Sequence, residues 1–280
     1  MKNIGIKLAA VTFLALLPLA PGAALAGKGG SAEAIDAAVR STSVDAIIAE
    51  VERTESLICE DCLQTLTNLT ADPRYPVREV AAWWFARRPA YKDMLATQFV
   101  DDLVHGDTIK VRNASDFLAA SGTLGALPQL RIAQHRGGLG AEARLAIVRA
   151  AATLAHPSGN DLLATAMSDS DAGVRAAAAR AWRDMRDQTS AQPVVALLHD
   201  GDANVRAQAA GTIGGLAEQA GRPALEALVV SDPDPFVRRN AAWALGQLGN
   251  AASRAALQQA TSDKSGLVSG VARASLARLR

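Results

Sequence analysis

Two cysteines carry the sharpest chemical signal in the 280-residue sequence, where Cys59 and Cys62 form a Cys-x-x-Cys motif. A local disulfide fits this spacing when both residues lie in a first helical turn. A redox-active pair needs a thiol of lowered pKa, whereas Glu60 and Asp61 would raise it. A zinc site needs two more ligands, and the nearest histidine, His105, is far along the chain. The motif favours a disulfide, with thiol–disulfide exchange as the main alternative and metal binding as a weaker one.

The other polar residues do not form a catalytic motif. None of the four histidines, at positions 105, 135, 156 and 199, is followed by glutamate. No nucleophile elbow, Walker loop or dinucleotide-binding glycine motif occurs in a strand–helix context. The sequence therefore predicts a protein that is not an enzyme, with no catalytic residues, resident metal or cofactor.

A short motif recurs along the chain and organises it. A Val-Arg pair follows a turn rich in aspartate and proline, and arginines of this kind stand at positions 78, 112, 175, 206 and 238. The gap from 112 to 175 is two periods long, with a degenerate member near Arg144. An alanine-rich run follows each pair, as in residues 241–249. Self-similarity at this period is typical of solenoids.

Each unit has the pattern of a helix, a turn and a second helix. The aspartates provide turns and N-caps. In the last strong unit Val237, Ala241, Leu245 and Leu248 recur at spacings of three and four, which predicts one buried helical stripe. Aromatic residues make up only 4% of the chain, which disfavours a β-sandwich or barrel. Stacked helical units that share one core are the expected architecture.

The motif resembles HEAT repeats, in particular the short subclass of about 31 residues named after phycobilisome lyases. The resemblance covers residues 55–280 and implies a right-handed, all-α solenoid of about seven helix-turn-helix repeats. Residues 27–54 resemble the motif less and are expected to form a divergent helical cap. Metal-dependent hydroxylases on similar repeats use His-Glu pairs, which this sequence lacks. The resemblance also implies a structural ladder between neighbouring turns, formed by Asp72, Arg78, Asp169, Arg175, Asp200, Arg206, Asp232 and Arg238.

The first 26 residues have the pattern of a cleaved secretory signal. Lys2 and Lys7 precede an apolar run from Leu8 to Ala20, and the small-x-small pattern ends at Ala26. The run is shorter than the roughly 20 residues of a membrane span. Cleavage after Ala26 would leave 27 basic and 28 acidic residues, because two of the 29 basic residues are lost. We expect a periplasmic or secreted protein without a membrane span, and this charge balance gives no case for nucleic acid.

Aromatic and arginine residues on the second helices are the candidates for partner binding. Position five, counted from the Val-Arg arginine, holds aromatic, charged and glycine residues, a mixture that predicts exposure. In HEAT-like solenoids the second helices line the concave surface, and Trp and Arg dominate binding energies at interfaces. Packing between repeats is the alternative role. The predicted partner-binding residues are Trp83, Phe117, Trp243, Arg87, Arg88, Arg180 and Arg183.

The expected function is that of a non-enzymatic, exported scaffold or adaptor that binds a protein on its concave face. A redox-accessory protein that uses Cys59 and Cys62 is the alternative from a different class. A lyase-like or chromophore-handling protein is a more distant one, because an export signal fits poorly with enzymes of cytoplasmic light-harvesting complexes.

Overall fold

The computed structural model describes residues 30–56, 59–185, 187 and 191–279. The predicted signal segment, residues 1–26, lies outside them. The regular structure of the described residues is helical, with sixteen α-helices and short 3-10 turns. In chain order the α-helices are α1 Ala32–Ser41, α2 Val44–Arg53, α3 Leu63–Leu69, α4 Tyr75–Ala86, α5 Pro89–His105, α6 Thr108–Ala120, α7 Leu127–Gln134, α8 Ala141–Leu154, α9 Asn160–Ala166, α10 Ala172–Trp182, α11 Gln192–Ala196, α12 Ala203–Leu216, α13 Arg222–Ser231, α14 Pro235–Leu248, α15 Arg254–Ala260 and α16 Gly266–Leu276.

The helices form two layers. The even-numbered helices, here called the inner helices, contact one another in an unbroken series from α2 to α16. The odd-numbered helices, here called the outer helices, pack against them from one side and contact one another less. Helices α3 to α16 form seven such pairs, and α1 with α2 forms one more. The predicted all-α solenoid of about seven helix-turn-helix repeats is confirmed.

Small residues let the inner helices approach closely. A Cβ atom added to Gly214 on α12 would lie 2.7 Å from the Cα of Ala244 on α14. One added to Gly246 would lie 3.0 Å from the Cα of Ser275 on α16. Because the distance between packed helices depends on the side chains at the contact, these residues shorten the inner spacing. The close approach is seen between α12 and α14 and between α14 and α16. The exposed surface of the inner helices is here called the inner face.

Aspartate caps set the start of the inner helices α10, α12 and α14. The Asp202 side chain accepts hydrogen bonds from the backbone N–H groups of Asn204 and Val205, and Asp234 caps α14 in the same way. Helix α14 ends at Gly249, whose φ of 65° is the left-handed conformation that glycine adopts readily. These caps and stops fix where each turn joins the two layers.

The core is a continuous apolar layer between the inner and outer helices. On α14, the side chains of Val237, Ala241 and Leu245 are fully buried and Leu248 is nearly so, as the predicted stripe requires. Among the described residues, no helix is both long enough and apolar enough to cross a membrane.

Candidate protein-binding face

Arginines at the fourth residue after an inner-helix N-cap join neighbouring repeats. Arg175 Nε lies 2.7 Å from Asp200 Oδ2, and its Nη2 lies 2.8 Å from Oδ1. The pairs Arg206–Asp232 and Arg238–Asp263 repeat this two-bond geometry. A single bond from Arg144 to Asp169 adds a fourth pair. We call these four pairs the ladder and the arginine site the ladder position.

Each ladder arginine also binds its own turn. Arg206 Nη1 donates to the carbonyl oxygens of Asp200 and Gly201, at 2.9 and 3.2 Å. The hydrogen bond from Arg175 is the largest cause that lowers the pKa of Asp200, and Arg238 does the same for Asp263. Both carboxylates therefore stay ionised at neutral pH. Nε and Nη2 of each arginine join it to the next repeat, while Nη1 holds its own turn.

The ladder does not continue into the amino-terminal half, where two predicted members have other partners. Asp72 binds Arg74 of its own turn, at 2.8 Å. Arg78 keeps the bonds to its own turn but directs Nε and Nη2 to Asp116 on α6, at 3.0 and 2.6 Å. The predicted ladder role is therefore wrong for the Asp72 side chain and for the Nε and Nη2 groups of Arg78. The reason is that α2 has Ile47 at the ladder position, so no arginine reaches Asp72. His105, two residues before the N-cap of α6, stands where Arg78 would need an aspartate.

A buried charge cluster takes the place of the ladder in this region. The Asp116 side chain is only 1% exposed and accepts bonds from Arg78 and, at 2.9 Å, from Arg149 on α8. The Arg149 guanidinium lies 4.6 Å from the ring centre of Tyr75. Burial is the main cause that raises the pKa of Tyr75 to about 12. The sequence pattern did not predict this cluster; its one visible signal is an aspartate within the apolar run of α6.

Phe117 is a core residue, so its predicted role in partner binding is wrong. Its side chain is 1% exposed, and its ring centre lies 4.5 Å from that of Phe99 and 6.1 Å from that of Phe85. The N-cap of α6 is Asp107, which makes Val111 and not Arg112 the ladder position. Position five of α6 is therefore Asp116, and the predicted register was shifted by one residue.

Two predicted tryptophans do lie on the inner face. Trp243 on α14 is 37% exposed, and its ring packs over Gly214, where an added Cβ would meet it at 2.6 Å. Trp83 on α4 is half-buried beneath Arg87, whose guanidinium lies 3.9 Å from the centre of the indole. Arg87 is held in turn by Glu55, at 2.6 Å. Trp243 is thus the more accessible of the two tryptophans.

The three other predicted arginines differ in their surroundings. Arg88 lies 3.4 Å from the Trp84 ring centre and donates to the carbonyl oxygens of residues 54 and 55, so it joins α4 to the end of α2. Arg183 extends along Gly215 of α12, and its Nε lies 3.2 Å from Asp184. Arg180 is exposed and forms no ion pair with a described residue. Among these, Arg180 is the most available to a partner.

A shallow depression surrounds Arg180 on the inner face. It has a volume of about 270 Å³ and spans α8, α10 and α12. Its floor is made of small residues, and amide side chains stand beside the guanidinium. The depression is lined by Gly173, Ala176, Ala177, Asn204 and Gln208.

The two cysteines form a disulfide in the turn before α3, with their Cα atoms 5.2 Å apart. Cys62 is fully buried, whereas Cys59 is partly exposed and borders an apolar pocket of about 250 Å³ with Trp84 and Tyr91. Across the residues that the structure describes, no three His, Cys, Asp or Glu side chains come together as a metal site. The local disulfide that the Cys-x-x-Cys spacing favoured is therefore formed.

Comparison with known proteins defines the class of this solenoid. Residues 140–203 and 191–277 match the family model of HEAT repeats. The ladder, from Arg144 to Asp263, occupies the same part of the chain. Residues 140–277 therefore match HEAT repeats, and the helix pairs that precede them have the same two-layer architecture.

One solved structure shows a similar fold. The Escherichia coli protein YibA is 15% identical, with a TM-score of 0.59 over 88% of this chain and 92% of that one. An engineered protein and human deoxyhypusine hydroxylase in complex with glycerol are 19% and 20% identical, with TM-scores of 0.41 and 0.39. Each of these two covers 88% of this chain, and 95% and 96% of its own. A search of curated proteins gave no match.

Proposed function

We propose that this protein is an exported scaffold of the short, phycobilisome-lyase-like HEAT class that binds a protein partner on its inner face and catalyses no reaction. HEAT arrays use their concave surfaces to bind extended partners. The observation that carries the proposal is the exposure of Phe236 and Trp243, 62% and 37%, on one inner helix. Fold alone does not define function, so the proposal rests on these two exposed side chains.

The exposed side chains of this surface are of the types that contribute most to binding. A Trp or Phe side chain exposed beside an arginine is the typical anchor of an interface. Phe236 and Trp243 are seven residues apart and so lie on the same face of α14. Bulky apolar side chains grouped on one surface commonly mark an interaction site.

Site-specific photocrosslinking tests the proposal directly. A benzophenone amino acid at Gly211 would stand on the inner face, where an added Cβ meets no atom within 4 Å. The same amino acid at Arg254, exposed on the outer helix α15, is the matched control. We expect a protein from the native host to be crosslinked at position 211 and not at 254. Equal crosslinking at both positions would refute an inner-face scaffold.

Export is supported by the residues at the amino terminus. Lys2, Lys7, the apolar run and the small residues before Gly27 have the order of a secretory signal. The domain plan proposed with it is a cleaved segment 1–26, a cap 27–54 and a repeat array 55–280. Fractionation of the host and amino-terminal sequencing should find a periplasmic or secreted protein that begins at Gly27. A cytoplasmic protein that retains Lys2 would refute export.

A redox-accessory role is the competing candidate, and the partly exposed Cys59 beside an apolar pocket is the observation in its favour. Insulin reduction and the reduction potential of the cysteine pair test it. A potential below about −300 mV, as in inert structural disulfides, together with no turnover would exclude it. Absorption spectra of purified protein test the more distant chromophore-handling role.

A further inference from the structure

We infer that the carboxyl-terminal part of the inner face binds an acidic segment of the partner that also carries a bulky apolar residue. This inference rests on the proposed function and specifies the chemistry of the partner. We call the surface the basic end and define it by five exposed residues: Arg180, Phe236, Arg239, Trp243 and Leu267.

The apolar component of the basic end comes from two neighbouring inner helices. Phe236 and Leu267, 62% and 63% exposed, are the second residues after the N-caps of α14 and α16. Equivalent positions of stacked repeats are neighbours, so the two side chains border the same surface. Trp243 lies two helical turns from Phe236 on α14. The three side chains thus place exposed apolar surface on both sides of Arg239 at this end of the inner face.

The charge at this end is basic. Arg239 lies between Phe236 and Trp243 on the exposed face of α14. Among the residues that the structure describes, its guanidinium donates only to the neutral Asn240, at 3.1 Å. Arg180 has no ion pair with a described residue. The nearby Asp184 is already bound to a guanidinium, and the N-cap aspartates are bound to backbone N–H groups. Carboxylates from a partner would find two available guanidiniums here.

The opposite end of the inner face has the reverse charge. Around Trp83 a depression is lined by Glu52 and Glu79, both exposed, together with Ile48 and Pro76. An acidic segment is repelled from this end and attracted to the basic one. The division of charge restricts the acidic segment to the surface of α10 to α16, and complementary charge is the usual source of such selectivity.

The distance between Arg180 and Trp243 sets the spacing of the acidic and apolar residues in the partner segment. Arg180 and Trp243 occupy position five of α10 and α14, two repeats apart, with Gly211 between them. At 8–10 Å between packed helices, two repeats span about 20 Å. The intervening floor is open, because a Cβ on Gly211 would meet no atom within 4 Å. The acidic and apolar residues are therefore about six positions apart in an extended segment, or about 13 in a helical one.

Selection from a displayed library of random 16-residue peptides tests this chemistry. The folded wild-type protein, the R180E/R239E variant and the W243A variant would be used in parallel. The control variant R40E/R254E makes the same charge change at exposed sites on the outer helices α1 and α15. Circular dichroism would first establish that all the variants keep their helical content.

We expect the wild-type protein and the R40E/R254E control to enrich acidic peptides that contain an aromatic or aliphatic residue. Binding of these peptides should fall at least about tenfold in R180E/R239E, because like charges then face each other, and should weaken as salt is raised. If the wild-type protein instead enriches neutral or basic peptides, and these bind W243A less well, the acidic specificity is overturned. The scaffold function would then remain intact. No enrichment, or equal binding to every variant, would count against both.

Discussion

The ladder pair Arg206–Asp232 should contribute strongly to stability. The Asp232 side chain is only 3% exposed and accepts two bonds from Arg206, at 2.7 and 3.0 Å. Asp232→Ala would leave the guanidinium, 13% exposed, without its carboxylate. Removing one partner of a buried pair costs about 3–5 kcal/mol. Because water reaches part of Arg206, we expect a loss of about 3 kcal/mol in the free energy of unfolding.

A double-mutant cycle separates this coupling from other effects. Arg206→Ala also removes the bonds to the Asp200 and Gly201 carbonyl oxygens, but that loss is common to the single and double variants and cancels. We expect a coupling energy of about 2 kcal/mol, since the double variant leaves no buried charge unpaired. The pair Arg131–Asp161 is the control: it joins α7 to α9, with side chains 37% and 56% exposed. Exposed pairs contribute about 0–1 kcal/mol.

Urea unfolding followed by circular dichroism measures both cycles. Repeat arrays unfold with stability terms for each interface, so loss of one ladder bond should also broaden the transition. In the Asp232→Ala variant the helices from α13 onward should unfold at lower urea concentration than the rest. A coupling energy for Arg206–Asp232 no larger than that for Arg131–Asp161 would refute the assignment of the ladder as a major stabilising element.

Four further predictions concern single positions. Gly211→Ala should raise the free energy of unfolding by about 0.5–1 kcal/mol, because its Cβ enters open space. Gly214→Ala should lower it by about 1–3 kcal/mol, because its Cβ would lie 2.7 Å from the next helix; equal effects in urea titrations would contradict this. The lowered pKa of Asp200 adds stability that is present above 3.8, its ordinary value, and lost as the pH falls through the folded value. Thermal melts from neutral to acid pH should therefore show a smaller loss for Asp200→Asn than for wild type, and parallel curves would argue otherwise. With the other tyrosine replaced by phenylalanine, Tyr75 should ionise near pH 12 in an absorbance titration; a midpoint near its ordinary 10 would exclude burial of the phenol.

The strong repeats could be predicted from sequence because their signals are local. In the units of Arg175, Arg206 and Arg238, an aspartate cap stands four residues before the arginine. These features fix the helix start and the buried stripe together. The α6 unit misled the prediction because Val111 and Arg112 imitate the motif although the cap, Asp107, is five residues before the arginine. Counting from the cap would have placed the register correctly.

The charge cluster around Asp116 could not be predicted in the same way. Asp116 is 38 residues from Arg78 and 33 from Arg149 in sequence, and only the stacking of α4, α6 and α8 brings the three together. The exposure of Phe236 and Leu267 was missed for a related reason. Both are bulky apolar residues beside a core valine, and only the structure shows that they point away from the core.

The regularity of the ladder has a consequence for how such a chain changes in length. Each arginine reaches an aspartate 25 or 26 residues further along, always in the next repeat. Excision of one whole repeat between Arg175 and Asp232 would bring these two residues into the same relation, with no charge left over. Excision of half a repeat would join an inner helix to another inner helix and leave an arginine without its carboxylate. We therefore expect this half of the protein to tolerate duplication and deletion only in whole repeats. Loss of the repeat that carries Asp116 would instead leave Arg78 and Arg149 without their shared carboxylate.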